Sequence, residues 1–64
     1  MKLKELKQGD FFTRKEIEYP NDNQVWIRGH YDRASKTYSC INFNDINREI
    51  FLKGTTTVYT NFIF

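Results

Sequence analysis

The feature that most restricts the possible folds is a nine-residue stretch near the middle of the chain, residues 25–33, which reads VWIRGHYDR. Its apolar residues fall mainly on alternate positions, the period of a β-strand with one buried face. The segment PNDN, four consecutive turn formers, precedes it. The stretch therefore predicts a strand whose two faces meet different surroundings.

The length of the chain and its cysteine content limit how such a strand is stabilised. The chain has 64 residues and one cysteine. A chain of this length can form one domain at most, so we expect a single domain over residues 1–64. Because such a domain buries only about 60% of the surface that the unfolded chain exposes, we expect it to be marginally stable. One cysteine excludes an intramolecular disulfide and favours a cytoplasmic location. No apolar run has the length of a signal-peptide core or a membrane span, so we expect no contact with membranes.

A second strand, TYSCINF at residues 37–43, predicts a hairpin with the first. A turn centred on residues 34 and 35 would join the two strands and determine which residues lie opposite one another. The resulting register makes three cross-strand pairs: Tyr31 with Tyr38, Gly29 with Cys40, and Ile27 with Asn42.

This register assigns the side chains of the hairpin to two faces. The inner face is expected to hold Val25, Ile27, Tyr31, Tyr38 and Cys40. The outer face is expected to hold Trp26, Arg28, His30, Ser39, Ile41 and Phe43. Neither face is purely polar, so alternation alone leaves a slip of one residue open.

Three further segments have strand character and complete the expected fold. The run FFTRKEIEY precedes the hairpin, REIFLKG follows it with Ile50 and Leu52 inward, and TTTVYT places Val58 inward. Gly29 is suited to a bulge or sharp bend in the longest strand. The chain leaves little room for the helix and long loops of an OB-fold. The prediction is an all-β fold, a small five-stranded antiparallel SH3-like barrel with little or no helix.

Three short motifs resemble those of a loosely defined group of small bacterial and phage proteins. That group opens with L-x-x-G-D-x-F, carries a central R-G-x-Y-D hairpin and closes with K-G-x-T-x-V. The corresponding segments here are residues 6–12, 28–32 and 53–58. The resemblance implies an SH3-like or similar small barrel, and it carries over no activity and no functional residue, because these are turn and core motifs.

Residues capable of catalysis or metal binding are few, and their expected positions do not favour an enzyme. The expected register places Cys40 and His30 on opposite faces, whereas a nucleophile pair needs them in contact. One cysteine and one histidine fall short of the four ligands of a structural zinc site. Glu16 and Glu18 are interpreted as a solvated strand face. We therefore expect no enzymatic activity, no metal and no cofactor.

The expected outer face of the hairpin is the strongest candidate for a binding surface. An arginine beside aromatic rings is typical of protein-binding hot spots and also of surfaces on which nucleobases stack. The candidate binding residues are Trp26, Arg28, His30, Phe43, Phe51 and Tyr59. The structural alternative is an outward Trp26 that only covers a gap under the segment KLKEL, residues 2–6, or packs across strands on Phe43.

The net charge of the chain bears on the class of partner. A formal charge of +2 is small for a dedicated nucleic-acid-binding protein, so a protein partner is favoured. Binding of single-stranded nucleic acid remains the alternative. Self-assembly is a third, because the apolar end TNFIF could complete the barrel or add a strand to a second copy. The expected oligomeric state is a monomer or weak homodimer.

Overall fold

A computed structural model describes residues 1–64 and shows one sheet of four antiparallel strands. The strands lie side by side in chain order, and the sheet is not closed. They are β1 (Phe11–Thr13), β2 (Val25–Asp32), β3 (Thr37–Asn42) and β4 (Glu49–Lys53). The helical content is limited to two 3₁₀ turns, Leu3–Glu5 and Asp22–Gln24. The all-β class and the antiparallel arrangement are thus confirmed, with four strands in an open sheet. Neither helical turn is long enough or apolar enough to cross a membrane.

The segment expected to form a fifth strand makes isolated bridges instead of a strand. Thr57 bridges Lys2, and Tyr59 bridges Thr13 at the free edge of β1. Thr13 and Tyr59 exchange both backbone hydrogen bonds, at 2.9 and 3.0 Å. Between them Val58 is fully buried, as the sequence predicts. The C-terminal segment is therefore held against the N-terminal residues at Thr57 and against β1 at Tyr59.

The hairpin between β2 and β3 forms as predicted. The carboxylate of Asp32 accepts a hydrogen bond of 3.0 Å from the backbone N–H of Ala34, a common way to stabilise a tight turn. Lys36 closes the turn in the left-handed region, at φ 58°. Residues 33–36 are exposed, and Asp32 is half-buried.

The register of this hairpin agrees with the prediction near the turn and differs from it beyond. Tyr31 lies opposite Tyr38, as expected. A β-bulge then shifts the pairing by one residue between Arg28 and Tyr31. The pairs beyond the bulge are Arg28 with Cys40, Ile27 with Ile41, and Trp26 with Asn42. The expected pairs Gly29 with Cys40 and Ile27 with Asn42 are therefore wrong.

Gly29 is the residue that makes the bulge possible. Gly29 and His30 together occupy the space opposite Ser39, two residues against one. A Cβ atom at position 29 would lie 2.7 Å from the backbone oxygen of Ser39, closer than real Cβ contacts come. Only a glycine lets the two strands approach this closely.

The bulge reverses the expected facing of the part of β2 that precedes it, whereas Tyr38 and Cys40 lie on the core side as expected. Because the register changes by one residue, Trp26 and Arg28 lie on the same side as Cys40 and Tyr38, which is the core side. Trp26 is only 6% exposed. The two residues do share a face, as predicted, but the expectation that this face is the outer one is wrong. Ile27, expected to be inward, lies on the opposite face.

The core is small and lies on this side of the sheet. Its central side chains are those of Leu3, Leu6, Phe12, Trp26, Cys40 and Val58. Three partly buried residues pack against them: Tyr38, Ile50 and Leu52. Leu3 and Leu6 come from the 3₁₀ turn and the residue after it, so the N-terminal segment covers the sheet. Val25 is also fully buried, which means that the start of β2 is covered on both faces.

Candidate functional site

The six residues expected to form a binding face do not lie together. Trp26 and Arg28 face the core, as described above. Phe43 and Phe51 are exposed on the opposite side of the sheet. His30 is exposed at the bulge, and Tyr59 is half-buried in the C-terminal segment. The expected strip of Trp26, Arg28 and His30 is therefore not a continuous surface.

Arg28 is a structural residue of the core side. Its guanidinium carbon lies 4.1 Å from the centre of the Tyr38 ring, within the range of a cation–π contact. One terminal nitrogen donates a hydrogen bond of 2.9 Å to the backbone oxygen of Gly29. Its buried Nε has no hydrogen-bond partner. Arg28 thus covers one face of Tyr38 next to the bulge.

Cys40 has the surroundings of a buried, unreactive thiol. It is fully buried opposite Arg28, and its Sγ lies 3.6 Å from the backbone oxygen of Tyr38. Burial raises the pKa of Cys40 to about 11, although the positive charge of Arg28 acts in the opposite direction. The thiolate needed for nucleophilic attack is therefore disfavoured at neutral pH. No group of three or more His, Cys, Asp or Glu side chains comes together in the structure.

The face of the sheet opposite the core carries a cluster of three exposed aromatic rings, which we call the outer cluster: Phe11, Phe43 and Phe64. Their ring centres are 4.8 to 6.1 Å apart, in edge-to-face arrangements. Phe11 is 40% exposed and Phe43 is 39% exposed. Ile27 and Ile41 are half-buried on the same face. The cluster thus forms the aromatic part of an apolar surface open to solvent.

The sequence contains signals for this cluster that the alternation of β2 alone does not reveal. Phe11 and Phe12 are adjacent in β1, so one of them must face away from the core. Phe64 belongs to the apolar end TNFIF, which was expected to complete the barrel or to pair with a second copy. Phe43 was expected on the outer face and is found there.

The second notable feature is the free edge of β4, at the end of the sheet. The backbone N–H of Asn42 donates to the oxygen of Arg48 at 2.9 Å. Hydrogen-bonded pairs alternate with non-hydrogen-bonded pairs along an antiparallel ladder. The next two hydrogen-bonded pairs are therefore Ile50 with Cys40 and Leu52 with Tyr38. The backbone groups of Glu49 and Phe51 consequently point away from β3, into solvent. Phe51 is 54% exposed beside this edge.

Comparisons with known proteins leave the function to be argued from this geometry. No protein-family model, curated protein or solved structure matches the chain.

Proposed function

We propose that the protein is a non-enzymatic interaction module that binds an extended segment of a protein partner. The segment would pair with the free edge of β4 and pack its side chains beside Phe51, next to the apolar face of the sheet. The observation that carries this proposal is the outward backbone of Glu49 and Phe51 next to an exposed aromatic side chain. Backbone hydrogen bonds would supply affinity, and side-chain contacts would supply specificity.

The exposed apolar surface supports a protein partner. Isolated apolar residues are normal on protein surfaces, whereas contiguous apolar patches mark interaction sites. The outer cluster is contiguous, because each of its three rings contacts the other two. Aromatic residues are enriched at the centres of protein interfaces. This surface replaces Trp26 and Arg28 as the candidate binding face.

We further propose that the sheet is the main part of an SH3-like barrel, in which residues 57–59 act as the fifth strand. The reciprocal hydrogen bonds of Thr13 and Tyr59 support this arrangement, since they place the last segment antiparallel to β1. A resemblance to the group of small bacterial and phage proteins is in keeping with such a barrel. A cytoplasmic location is proposed from the free thiol of Cys40.

A proline substitution tests whether the β4 edge binds a strand. Peptides selected from a random library on the wild-type protein are titrated against Phe51→Pro. Proline removes the outward N–H of residue 51 and leaves the hydrogen bonds to β3 intact, because those involve Ile50 and Leu52. We expect affinity to fall at least about tenfold, which corresponds to about 1.4 kcal/mol.

Two further variants separate the edge from the side chain. Phe51→Thr keeps the backbone N–H and loses the ring, so it should weaken binding less than Phe51→Pro. Ile46→Ser, in the turn before β4, removes an apolar side chain that is 78% exposed and should leave binding unchanged. Equal affinity of wild type and Phe51→Pro would show that the edge is not the binding site.

Self-assembly is the alternative outcome for the same edge. A free edge can pair with the edge of a second copy as readily as with a peptide. Sedimentation equilibrium at two protein concentrations distinguishes the two cases. A mass that stays at 7.8 kDa supports the peptide-binding proposal, and a dimer that dissociates in Phe51→Pro assigns the edge to self-assembly.

A further inference from the structure

A basic cavity lies at the end of the sheet, away from the outer cluster. Its volume is about 570 Å³, within the range of about 300–1,000 Å³ found for small-molecule pockets. The hairpin turn, the end of β4 and the N-terminal 3₁₀ turn surround it. The residues that matter for its chemistry are Lys4, Lys36, Lys53, Tyr31 and Tyr38. We call it the Tyr31 cavity.

All charged side chains in the wall of the Tyr31 cavity are positive. The wall has three lysines and no carboxylate. The fold brings these lysines together from three segments: Lys36 closes the hairpin turn, Lys53 ends β4 opposite Thr37, and the N–H of Lys4 bonds to the oxygen of Gly54 at 3.0 Å. A cavity lined by charges of one sign favours a ligand of the opposite charge, here an anion.

The aromatic rings of the cavity offer a surface for stacking. Tyr31 and Tyr38 lie opposite each other, with ring centres 4.9 Å apart and planes inclined at 55°. Arg28 already covers one face of Tyr38. Tyr31 is 45% exposed, so its ring is the one available to a ligand. Any of the nucleobases can stack on such a ring, because each has a flat aromatic face.

We infer that the Tyr31 cavity binds a nucleoside phosphate unit of single-stranded nucleic acid, with a base on Tyr31 and phosphates beside the three lysines. Lysines act as point charges that follow a phosphate backbone. Recognition of a phosphorylated peptide typically uses arginine clusters, and the cavity wall contains no arginine. This inference rests on different observations from the proposed peptide site, although Lys53 is the last residue of β4 and adjoins that site.

Fluorescence anisotropy with a labelled oligothymidylate of about ten nucleotides tests the inference. Tyr31→Ala should lower affinity by roughly 5- to 150-fold, the range for loss of one stacked base. The matched control is Tyr19→Ala, which removes a tyrosine that is 67% exposed outside the cavity and should have no effect. Circular dichroism confirms that both variants fold.

The salt dependence of binding tests the role of the lysines. Three phosphate contacts predict a slope of about −2 for log affinity against log salt, since each contributes about −0.7 on a single strand. Lys53→Gln should make this slope less steep by about 0.7. Lys7→Gln removes an equal charge outside the cavity and should leave the slope unchanged.

Competition experiments distinguish the sources of the ligand. Thymidine monophosphate and inorganic phosphate are added against the bound oligonucleotide. Unlabelled oligonucleotide is the third competitor. If it displaces the label at a much lower nucleotide concentration than thymidine monophosphate does, the ligand is a strand. If both displace the label at the same nucleotide concentration, the cavity binds free nucleotides and the inferred strand ligand is wrong. The inference is wrong if the oligonucleotide does not bind at low salt, if Tyr31→Ala binds like wild type, or if a phosphotyrosine peptide binds more tightly.

Discussion

Trp26 lies directly opposite Asn42 in the pairing of β2 with β3, and both side chains are buried. The side-chain amide of Asn42 donates a hydrogen bond of 2.9 Å to the backbone oxygen of Asn23. The side-chain oxygen of Asn42 accepts a hydrogen bond of 3.0 Å from the backbone N–H of Asn44. These bonds satisfy a polar side chain that is only 1% exposed. The pair therefore connects the apolar core to the segments before β2 and after β3.

Replacement of Trp26 by alanine should destabilise the domain severely. Truncation of a buried tryptophan costs about 3–5 kcal/mol. Domains typically have about 0.05–0.15 kcal/mol of stability per residue, which gives about 3–10 kcal/mol for a chain of 64 residues, so this loss is a large part of the total. Urea unfolding followed by circular dichroism measures the effect. Phe51→Ala is the control and should change stability by less than about 0.5 kcal/mol. A fully cooperative transition of Trp26→Ala at the wild-type midpoint would contradict a core position.

Gly29→Ala tests the bulge that determines the register. The added Cβ would lie 2.7 Å from the backbone oxygen of Ser39, so the strands must separate or the bulge must move. We expect a loss of about 1–3 kcal/mol in the free energy of unfolding, the usual cost of overpacking. His30→Ala at the same bulge changes an exposed side chain and should be nearly neutral. Equal midpoints for the two variants in urea would show that the close approach is relaxed at no cost.

The buried thiol of Cys40 predicts a specific dependence of stability on pH. Its folded-state pKa of about 11 lies above the reference value of 9.0, because burial disfavours the thiolate. The unfolded chain therefore releases the proton first, and the contribution of Cys40 to stability is complete below pH 9.0 and is lost as the pH rises towards 11. The unfolding free energy of wild type minus that of Cys40→Ala should therefore decrease as the pH rises over this interval. Comparison with the alanine variant subtracts the titration of lysines and tyrosines. A constant difference would mean that the folded-state pKa is not raised.

The same burial predicts slow chemical modification. A disulfide exchange reagent at pH 8 should react with Cys40 far more slowly in the native protein than in urea. In the native protein little of the thiol is ionised, and the reagent cannot reach the buried sulfur. Equal rates in the two conditions would place Cys40 at the surface.

Hydrogen exchange tests the proposal that residues 57–59 act as a fifth strand beside β1. The amides of Thr13 and Tyr59 bond reciprocally, so both should exchange slowly, with protection similar to that of the β2–β3 ladder. The amide of Asn61, which has no backbone hydrogen bond of its own, should exchange rapidly. Rapid exchange at Tyr59 would show that the C-terminal segment opens independently of the sheet.

Much of the fold was predictable because it depends on local rules. The turn before β2, the hairpin at residues 33–36 and the inward positions of Ile50 and Leu52 follow from turn formers and strict alternation. The burial of Cys40 follows from its apolar character as a free thiol. Each of these features requires knowledge of only one strand or turn at a time.

The candidate site could not be derived in the same way, because it depends on the register between strands. Sequence reasoning identified Gly29 as a bulge and the outward position of Phe43, but it kept Trp26 on the outer face. A bulge after Trp26 does not rotate that side chain relative to its own strand. The bulge does change which side chains of β3 lie on the same side of the sheet as Trp26. Trp26 is thereby placed on the side of Cys40, which is the core side.

The sequence by itself determined four of the five expected strands, the turns between them and the aromatic residues that a small all-β domain must place. Only the tertiary structure decided which of the two faces is buried, because both parities of β2 carry apolar side chains and the choice depends on what packs against them. Leu3, Leu6 and Val58 come from distant segments of the chain and cover the face that holds Trp26. The exposure of the outer cluster on the opposite face is a consequence of that choice.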